Sequence, residues 1–302
     1  MNLRDFEYLV AVDEERHFHR AAERCFVSQP TLSGQLKKLE GELGVLLVER
    51  SNRQVLMTEV GTLVARQARK VLAEVAVMRD LARSFDNPLA GELHVGLIPT
   101  LAPYLLPLIM PAMRQQFPDL KVWLHEYHTA VLLEKLRQVQ LDVLILALPV
   151  DAAEFTQTDL FVEPFQLAVP KSADLARQTL ISLGDLQARE MLLLEEGHCL
   201  RGQALDLCYR AGATEHMSFH ASSLEILRHM VAEGMGITLM PQLAVPAHAT
   251  RQDPVRYLPF QDPVPSRRIG MVYRRQHNRE PAFSAIGDLI RKLWRGYHGD
   301  EK

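Results

Sequence analysis

A chain of 302 residues, 47% hydrophobic and 24% charged, has ordinary soluble globular composition and room for two or three domains. No apolar run approaches the roughly 18 residues of a membrane helix, the charged opening MNLRDFEYLV is no secretory signal, and three cysteines cannot staple a disulfide scaffold, so a cytoplasmic location without a membrane partner is expected. The net charge of −3 gives no hint of nucleic acid, which leaves local arrangement to supply one.

Residues 1–60 read as three short helices and a hairpin. Leu3, Phe6, Leu9 and Val10 give the first helix one apolar face, and small Ala21 and Ala22 in FHRAAERC let another helix approach closely. SQPTLSGQLKKLEGELG starts with Ser28 as N-cap and Pro30 in the first turn, and Gly44 closes it. Leu32, Leu36, Leu39 and Leu43 are expected to face inward, while Gln29, Thr31, Ser33, Gln35, Lys37 and Lys38 form a face of donors and cations. VLLVERSNRQVLMT alternates around a polar turn at Ser51-Asn52 and carries Arg50 and Arg53 at its tip. The pattern is a winged helix-turn-helix whose second paired helix enters the major groove of double-stranded DNA while the arginines grip phosphate. A small helical module that binds protein is the alternative, since residues 1–70 hold eleven Lys/Arg against ten Asp/Glu. Asp13, Glu14 and Glu15 gather at the end of the first helix, however, which leaves the third helix and the wing comparatively basic.

Residues 58–88 read as a linker helix and hinge. Val64, Ala68, Val71, Val75, Met78 and Ala82 recur at the spacing of a two-stranded coiled coil, and Asn87-Pro88 breaks the helix. Dimerisation is favoured over a helix lying on its own core, because nothing N-terminal is large enough to cover it. Beyond Gly91 short apolar runs (ELHVGLI, LKVWLHEY, LDVLILAL, LFVEPFQLAV, EMLLLEE, GITLMP, IGMVYR) alternate with helical segments near 101–116, 130–138, 201–210, 222–232 and 282–296. Alternation of this kind implies parallel α/β sheets in two lobes, with a ligand at the carboxyl ends of strands, for example at Gly-Leu-Ile-Pro-Thr100. The fold class is therefore α+β overall, with an N-terminal winged helix-turn-helix, a long linker helix and a two-lobed α/β domain at 89–302. Lobe I takes 89–162 and 268–302, and lobe II takes 163–267.

EEGHCLRGQALDLC holds two of the three cysteines. A metal site needs tighter spacing than eight intervening residues, and His198 is the only obvious extra ligand, so no metal and no cofactor are expected. Nothing else supports a Cys–His protease. Two buried small hydrophobes and a redox pair both stay open. Cys25 reads as core, and His125, His128, His216 and His220 as ordinary.

AAERCFVSQPTLSGQLKKLEGELGVLLVER, followed by a helix start at Thr58–Gly61, resembles the DNA-binding domain of LysR-type regulators, and MVAEGMGITLMP resembles their effector domain. GLIPTLAPYLLP, LHEYHT, LILAL, AVP and above all GHCLRGQALDLC are similar to the hydrogen-peroxide-sensing members of that family. The similarity runs from residue 1 to about 295. It implies a homotetrameric cytoplasmic transcription activator, a dimer of dimers that meets DNA, RNA polymerase and a thiol reductant, and not an enzyme. Cys199 would be the peroxidatic cysteine and Cys208 its resolving partner, with peroxide held by Thr100, Thr129 and His198. Ser28, Gln29, Pro30, Thr31, Ser33, Gln35, Lys37, Arg50 and Arg53 would face DNA. Gly202 stands where an acidic residue often follows Cys-Leu-Arg, and the 258–268 stretch departs from the family pattern, so no arginine at 267 or 268 is assigned to Cys199.

The chemistry such a pair needs is partly visible. Cys199 has His198 and Arg201 beside it at a helix start, where an anion is favoured, while Cys208 in LDLCYR belongs on a buried helical face. Nine helical residues span about 13–14 Å, against the roughly 7 Å between Cα atoms that a disulfide tolerates. Peroxide attack by Cys199, with His198 or a hydroxyl protonating the departing hydroxide, would be followed by condensation with Cys208 and unwinding of 200–220. A LysR-type regulator of a small organic effector with incidental cysteines, and a thiol peroxidase carrying a DNA-binding appendage, are the competing functions.

Overall fold

The structure is a computed structural model that describes residues 1–50, 55–84, 87–246 and 253–298. It divides into two compact units, Met1–Arg83 and Ser84–Lys302. Among the described residues no helix is long and apolar enough to cross a membrane.

The N-terminal unit contains α1 (Leu3–Glu15), α2 (Phe18–Arg24), α3 (Gln29–Leu43), β1 (Val48–Arg50), β2 (Val55–Met57) and α4 (Glu59–Ser84). Each helix starts where the sequence supplies an acceptor. Asn2 and Asp5 form a reciprocal capping box on α1, His17 caps α2, and the Ser28 hydroxyl accepts from the Thr31 amide at the head of α3. Gly44, at φ 70°, ends α3 in the left-handed conformation that costs glycine little. Tyr8, Leu9, Val12, Ala21, Ala22, Leu32, Leu36, Leu39, Leu47 and Ala65 make one core. Leu43 is not part of it. This last residue of α3 is 38% exposed, because the chain turns away at Gly44 before a partner covers it.

β1 and β2 pair antiparallel, Val48 opposite Met57. Buried Glu40 fixes them to α3 by accepting from the amides of Leu47 and Val48, at 2.9 and 3.1 Å. Thr58 Oγ1 caps α4 through the Gly61 amide, and a Cβ on Gly61 would stand 2.0 Å from the Leu47 carbonyl oxygen, so only glycine fits there. Arg69 of α4 binds Asp13 at 2.6 Å and Glu14 at 3.3 Å. The acidic end of α1 is thus spent on internal ion pairs. Along the expected seam of α4, Ala68 is buried and Met78 is 60% exposed; the side chain of Ala82 lies outside the described residues.

The C-terminal unit runs β3 (Gly91–Leu97), α5 (Ala102–Gln116), β4 (Leu120–Glu126), α6 (Thr129–Arg137), β5 (Val143–Leu148), β6 (Phe155–Pro170), β7 (Glu190–Leu194), α7 (Cys199–Ala211), β8 (Thr214–Ala221), α8 (Leu224–Ala232), β9 (Thr238–Pro241), β10 (Val255–Pro259), β11 (Ser266–Arg274) and α9 (Glu280–His298). Its main sheet has the order β10-β6-β11-β5-β3-β4, with β9 also on β6. β5, the run VLILAL, is buried throughout, as a strand covered on both faces must be.

The main sheet is mixed rather than parallel. β3 runs parallel to β4 and β5, and β7 parallel to β8, but β11 is antiparallel to both β5 and β6, and β6 to β9 and β10. The cause is the 16-residue β6, whose first half packs in one core with Phe155, Leu160 and Phe161 and whose second half packs in another with Phe165, Leu167 and Val169. β6 leaves the first lobe and β11 returns to it, so the two must run in opposite directions.

His277 lies between β11 and α9, its ring against Phe283. Burial, then the Arg274 and Arg279 guanidinium groups, push its pKa down to about 4; Asp142 is 3.9 Å away. The folded protein therefore refuses a proton that the unfolded chain accepts below about pH 6.5. The contribution of His277 to stability should be constant above that pH and fall by about 2–3 kcal/mol between pH 6.5 and 4. Denaturant melts of the parent and of His277→Asn at both pH values measure it, and the variant should lose distinctly less.

Candidate functional site

Four of the sequence-expected side chains of the second unit converge at the ends of different elements. Thr100 follows β3, Thr129 opens α6, and His198 and Cys199 form the N-cap and first residue of α7, where Gly197 at φ 98° turns the chain out of β7. Cys199 packs against the core of the first lobe, whereas Cys208 belongs to the core of the second. The two sulphurs are parted by the body of α7, whose buried face is Leu200, Ala204, Leu207 and Cys208.

A fifth side chain organises the group. Arg267 of β11 is fully buried and donates to Glu163 Oε2 at 2.8 Å, to Thr100 Oγ1 at 2.9 Å and to the Thr100 carbonyl at 3.0 Å. Glu163 is equally buried and also accepts from the Leu243 amide at 2.9 Å. With its oxygen lone pair occupied by Arg267, the Thr100 hydroxyl keeps its proton for a ligand. Thr129 Oγ1 is buried without a regular hydrogen bond and lies near enough to Cys199 to favour a thiolate.

Burial pushes the Cys199 thiol above its ordinary pKa, and this outweighs the opposing Arg267 cation, the Thr129 hydroxyl and the amides of Leu200 and Cys199. The cysteine rests as a thiol in a setting arranged for its anion. Arg201 is not part of that setting. Its guanidinium turns to Glu215 at 2.7 Å and to the Leu194 carbonyl at 2.9 Å, leaving Arg267 as the cation that acts on Cys199.

His198 differs from expectation as well. Burial, then the neighbouring His128, lowers its pKa against Glu195 and a backbone bond at Ser222. It is neutral at neutral pH, so it is poorly suited to protonate a departing hydroxide. Cys208 is held as a neutral thiol by burial and by nearby Glu215, and its Sγ lies 3.4 Å from Met191 Sδ.

In the N-terminal unit Gln29, Pro30, Thr31 and Lys37 are exposed on α3, Ser33 and Gln35 are half-buried, and exposed Ser28 is occupied in part by its capping bond. Arg53 and the side chain of Arg50 lie outside the described residues.

Residues 86–295 match the LysR substrate binding domain, and residues 3–62 the bacterial regulatory helix-turn-helix of the lysR family. The chain is 49% identical over 297 residues to a DNA-binding transcriptional dual regulator, OxyR, of Escherichia coli K12, covering 98% of this chain and 97% of that one. It is 48% identical over 297 residues, 98% of each, to a hydrogen peroxide-inducible genes activator of Pectobacterium carotovorum. Among solved structures, a full-length OxyR variant from Pseudomonas aeruginosa is similar with TM-score 0.75 and 40% identity over 96% of this chain and 95% of that one. The oxidized form of OxyR gives TM-score 0.64 and 44% identity over 70% of this chain and 99% of that one.

Proposed function

The chain belongs to the LysR family of transcriptional regulators, and on that premise we propose that it is a cytoplasmic hydrogen-peroxide sensor that regulates transcription through double-stranded DNA. The observation that carries this is the placement of Cys199. It heads α7 within reach of Thr129 and the Arg267 field, and Cys208 follows nine residues later on the buried face of the same helix.

Peroxide sits between the Thr100 and Thr129 hydroxyls. The Cys199 sulphur loses its proton and attacks one peroxide oxygen; the O–O bond breaks, the sulphur becomes a sulfenic acid, and the departing hydroxide leaves as water. Arg267 and the first amides of α7 stabilise the negative charge on sulphur as it forms. Because His198 is neutral, the proton travels from the thiol to the leaving oxygen through a threonine hydroxyl. Cys208 then attacks the sulfenic sulphur, the S–S bond forms as the S–O bond breaks, and the departing hydroxide takes the Cys208 proton and leaves as a second water. No reductant is consumed until a separate thiol resets the disulfide. A slow reset by that thiol makes the chain a stoichiometric switch, whereas a fast one would make it a peroxidase.

Residues 1–60 read DNA with Gln29, Pro30, Thr31, Ser33, Gln35 and Lys37 of α3 and the wing arginines Arg50 and Arg53, and residues 58–88 pair two chains. Residues 89–302 carry the sensor and assemble two dimers into the homotetramer, which engages RNA polymerase.

One equivalent of peroxide added to the reduced chain, followed by mass mapping of thiols, should yield the Cys199–Cys208 disulfide. Cys199→Ser should keep DNA affinity within about twofold and lose the peroxide response. A full response in that variant, or an intact Cys208 thiol in the oxidised parent, would refute the assignment. Rapid multiple turnovers with a thiol donor would make it a peroxidase instead.

A further inference from the structure

Three side chains meet beside Cys199, and of these only His198 is among the residues expected to hold peroxide. His128 is the N-cap of α6, while Glu195 and His198 lie on the loop from β7 into α7. One nitrogen of each imidazole and a Glu195 carboxylate oxygen lie within 4.8 Å of one another. The histidine rings meet edge to face, with centroids 4.4 Å apart.

His198 is only 6% exposed, and its Nε2, like His128 Nδ1, is shielded from solvent without a hydrogen-bond partner. The backbone bond of His198 at Ser222 falls to its other nitrogen, so the proton resides on Nδ1 and Nε2 presents a lone pair. Metal-binding histidines are oriented in this way, with one nitrogen donating to a carbonyl and the other left for the ion.

We propose that His128, His198 and Glu195 form a site for a divalent first-row transition ion of the zinc class. Two imidazoles and one carboxylate are the donor set of zinc sites that keep a fourth position open. Bonds of 2.0–2.2 Å would bring the donors to about 3.4 Å from one another; the exposed Glu195 side chain closes by rotating and the two imidazoles by turning about their side-chain torsions. The bound ion joins the N-cap of α6 to the N-cap of α7. Since α7 must unwind for Cys208 to reach Cys199, the ion holds the reduced conformation; this consequence, unlike the site itself, rests on the peroxide reading.

Full-length protein carrying Cys199→Ala and Cys208→Ala, so that neither thiol can ligate, is titrated with Co2+. One equivalent should bind with a visible d–d spectrum free of sulphur charge transfer. His128→Gln and Glu195→Gln, each with unchanged circular dichroism, should each lower affinity by at least about 100-fold, more than loss of an outer partner costs. Absence of binding, or binding unaltered in both variants, overturns the site. In the unsubstituted chain, saturating Zn2+ should slow disulfide formation by peroxide at least tenfold, an effect His128→Gln removes. Cobalt binding in the titration with no slowing by zinc would overturn the clamp. A chain that forms no disulfide even without metal would overturn the peroxide reading, and the cobalt titration would still decide the site.

Discussion

Arg267→Met should slow capture of peroxide by Cys199 at least tenfold and destabilise the second unit by about 3–5 kcal/mol. Arg267 and Glu163 each have no exposed side-chain surface, and their 2.8 Å bond is the means by which either charge tolerates burial. Removal of one member strands the other, and uncompensated buried charges cost about that much. The kinetic loss has a different origin. Arg267 is the cation acting on Cys199 and the double donor to Thr100, so methionine removes the charge that favours the thiolate and frees the hydroxyl that orients peroxide. The two effects separate in the double variant Arg267→Met/Glu163→Met, where no orphaned charge is left. Chemical denaturation should show most of the stability returning, since apolar replacement of a buried ion pair is often neutral. Quenched-flow thiol titration should show peroxide capture still slow. Recovery of both together would reduce Arg267 to a structural role.

The site was legible in proportion to how local its chemistry is. Ser28, Pro30 and Gly44 bound α3 through backbone requirements satisfied within a few residues, and the sequence states them directly. GHCLR likewise states that Cys199 heads a helix. Arg201 misleads because adjacency in sequence is not adjacency on a helix: residues two apart on a helix do not face each other, and this one turns to Glu215 instead. Arg267 reaches Thr100 only because β11 returns beside β6, a pairing whose direction hydrophobic periodicity does not encode. His128 reads as ordinary for the same reason, since nothing near it in sequence marks the approach to His198. The mixed sheet was hidden likewise: a buried apolar run such as VLILAL reads the same with a parallel or an antiparallel neighbour.

Oxidation should melt α7. The helix now runs unbroken from Cys199 to Ala211, which sets the two Cα atoms about 13–14 Å apart, whereas a disulfide holds them within about 7 Å. Cys208 must therefore leave the second core and bring the intervening backbone with it. Leu200 and Leu207, now 2% and 1% exposed, lose their packing as this happens. At about 1.5–3 kcal/mol for each buried leucine, the oxidised conformation forfeits about 3–6 kcal/mol. For a two-electron couple that raises the reduction potential by about 60–130 mV over an unstrained disulfide, toward the range of labile rather than structural bridges. Hydrogen exchange should show amides of 199–211 protected in the thiol form and exchanging in the disulfide form. Gly202 offers an independent handle. A methyl group there would meet nothing within 4 Å, so Gly202→Ala adds helix propensity of about 0.8–1 kcal/mol without new contacts. Because that gain exists only while α7 is wound, in the reduced form, the variant should have a potential about 20 mV higher and slower closure of the disulfide after an unchanged first oxidation step. Equal exchange protection in both redox forms, or a potential in Gly202→Ala that does not rise, would mean that the sulphurs meet by some route other than unwinding this helix.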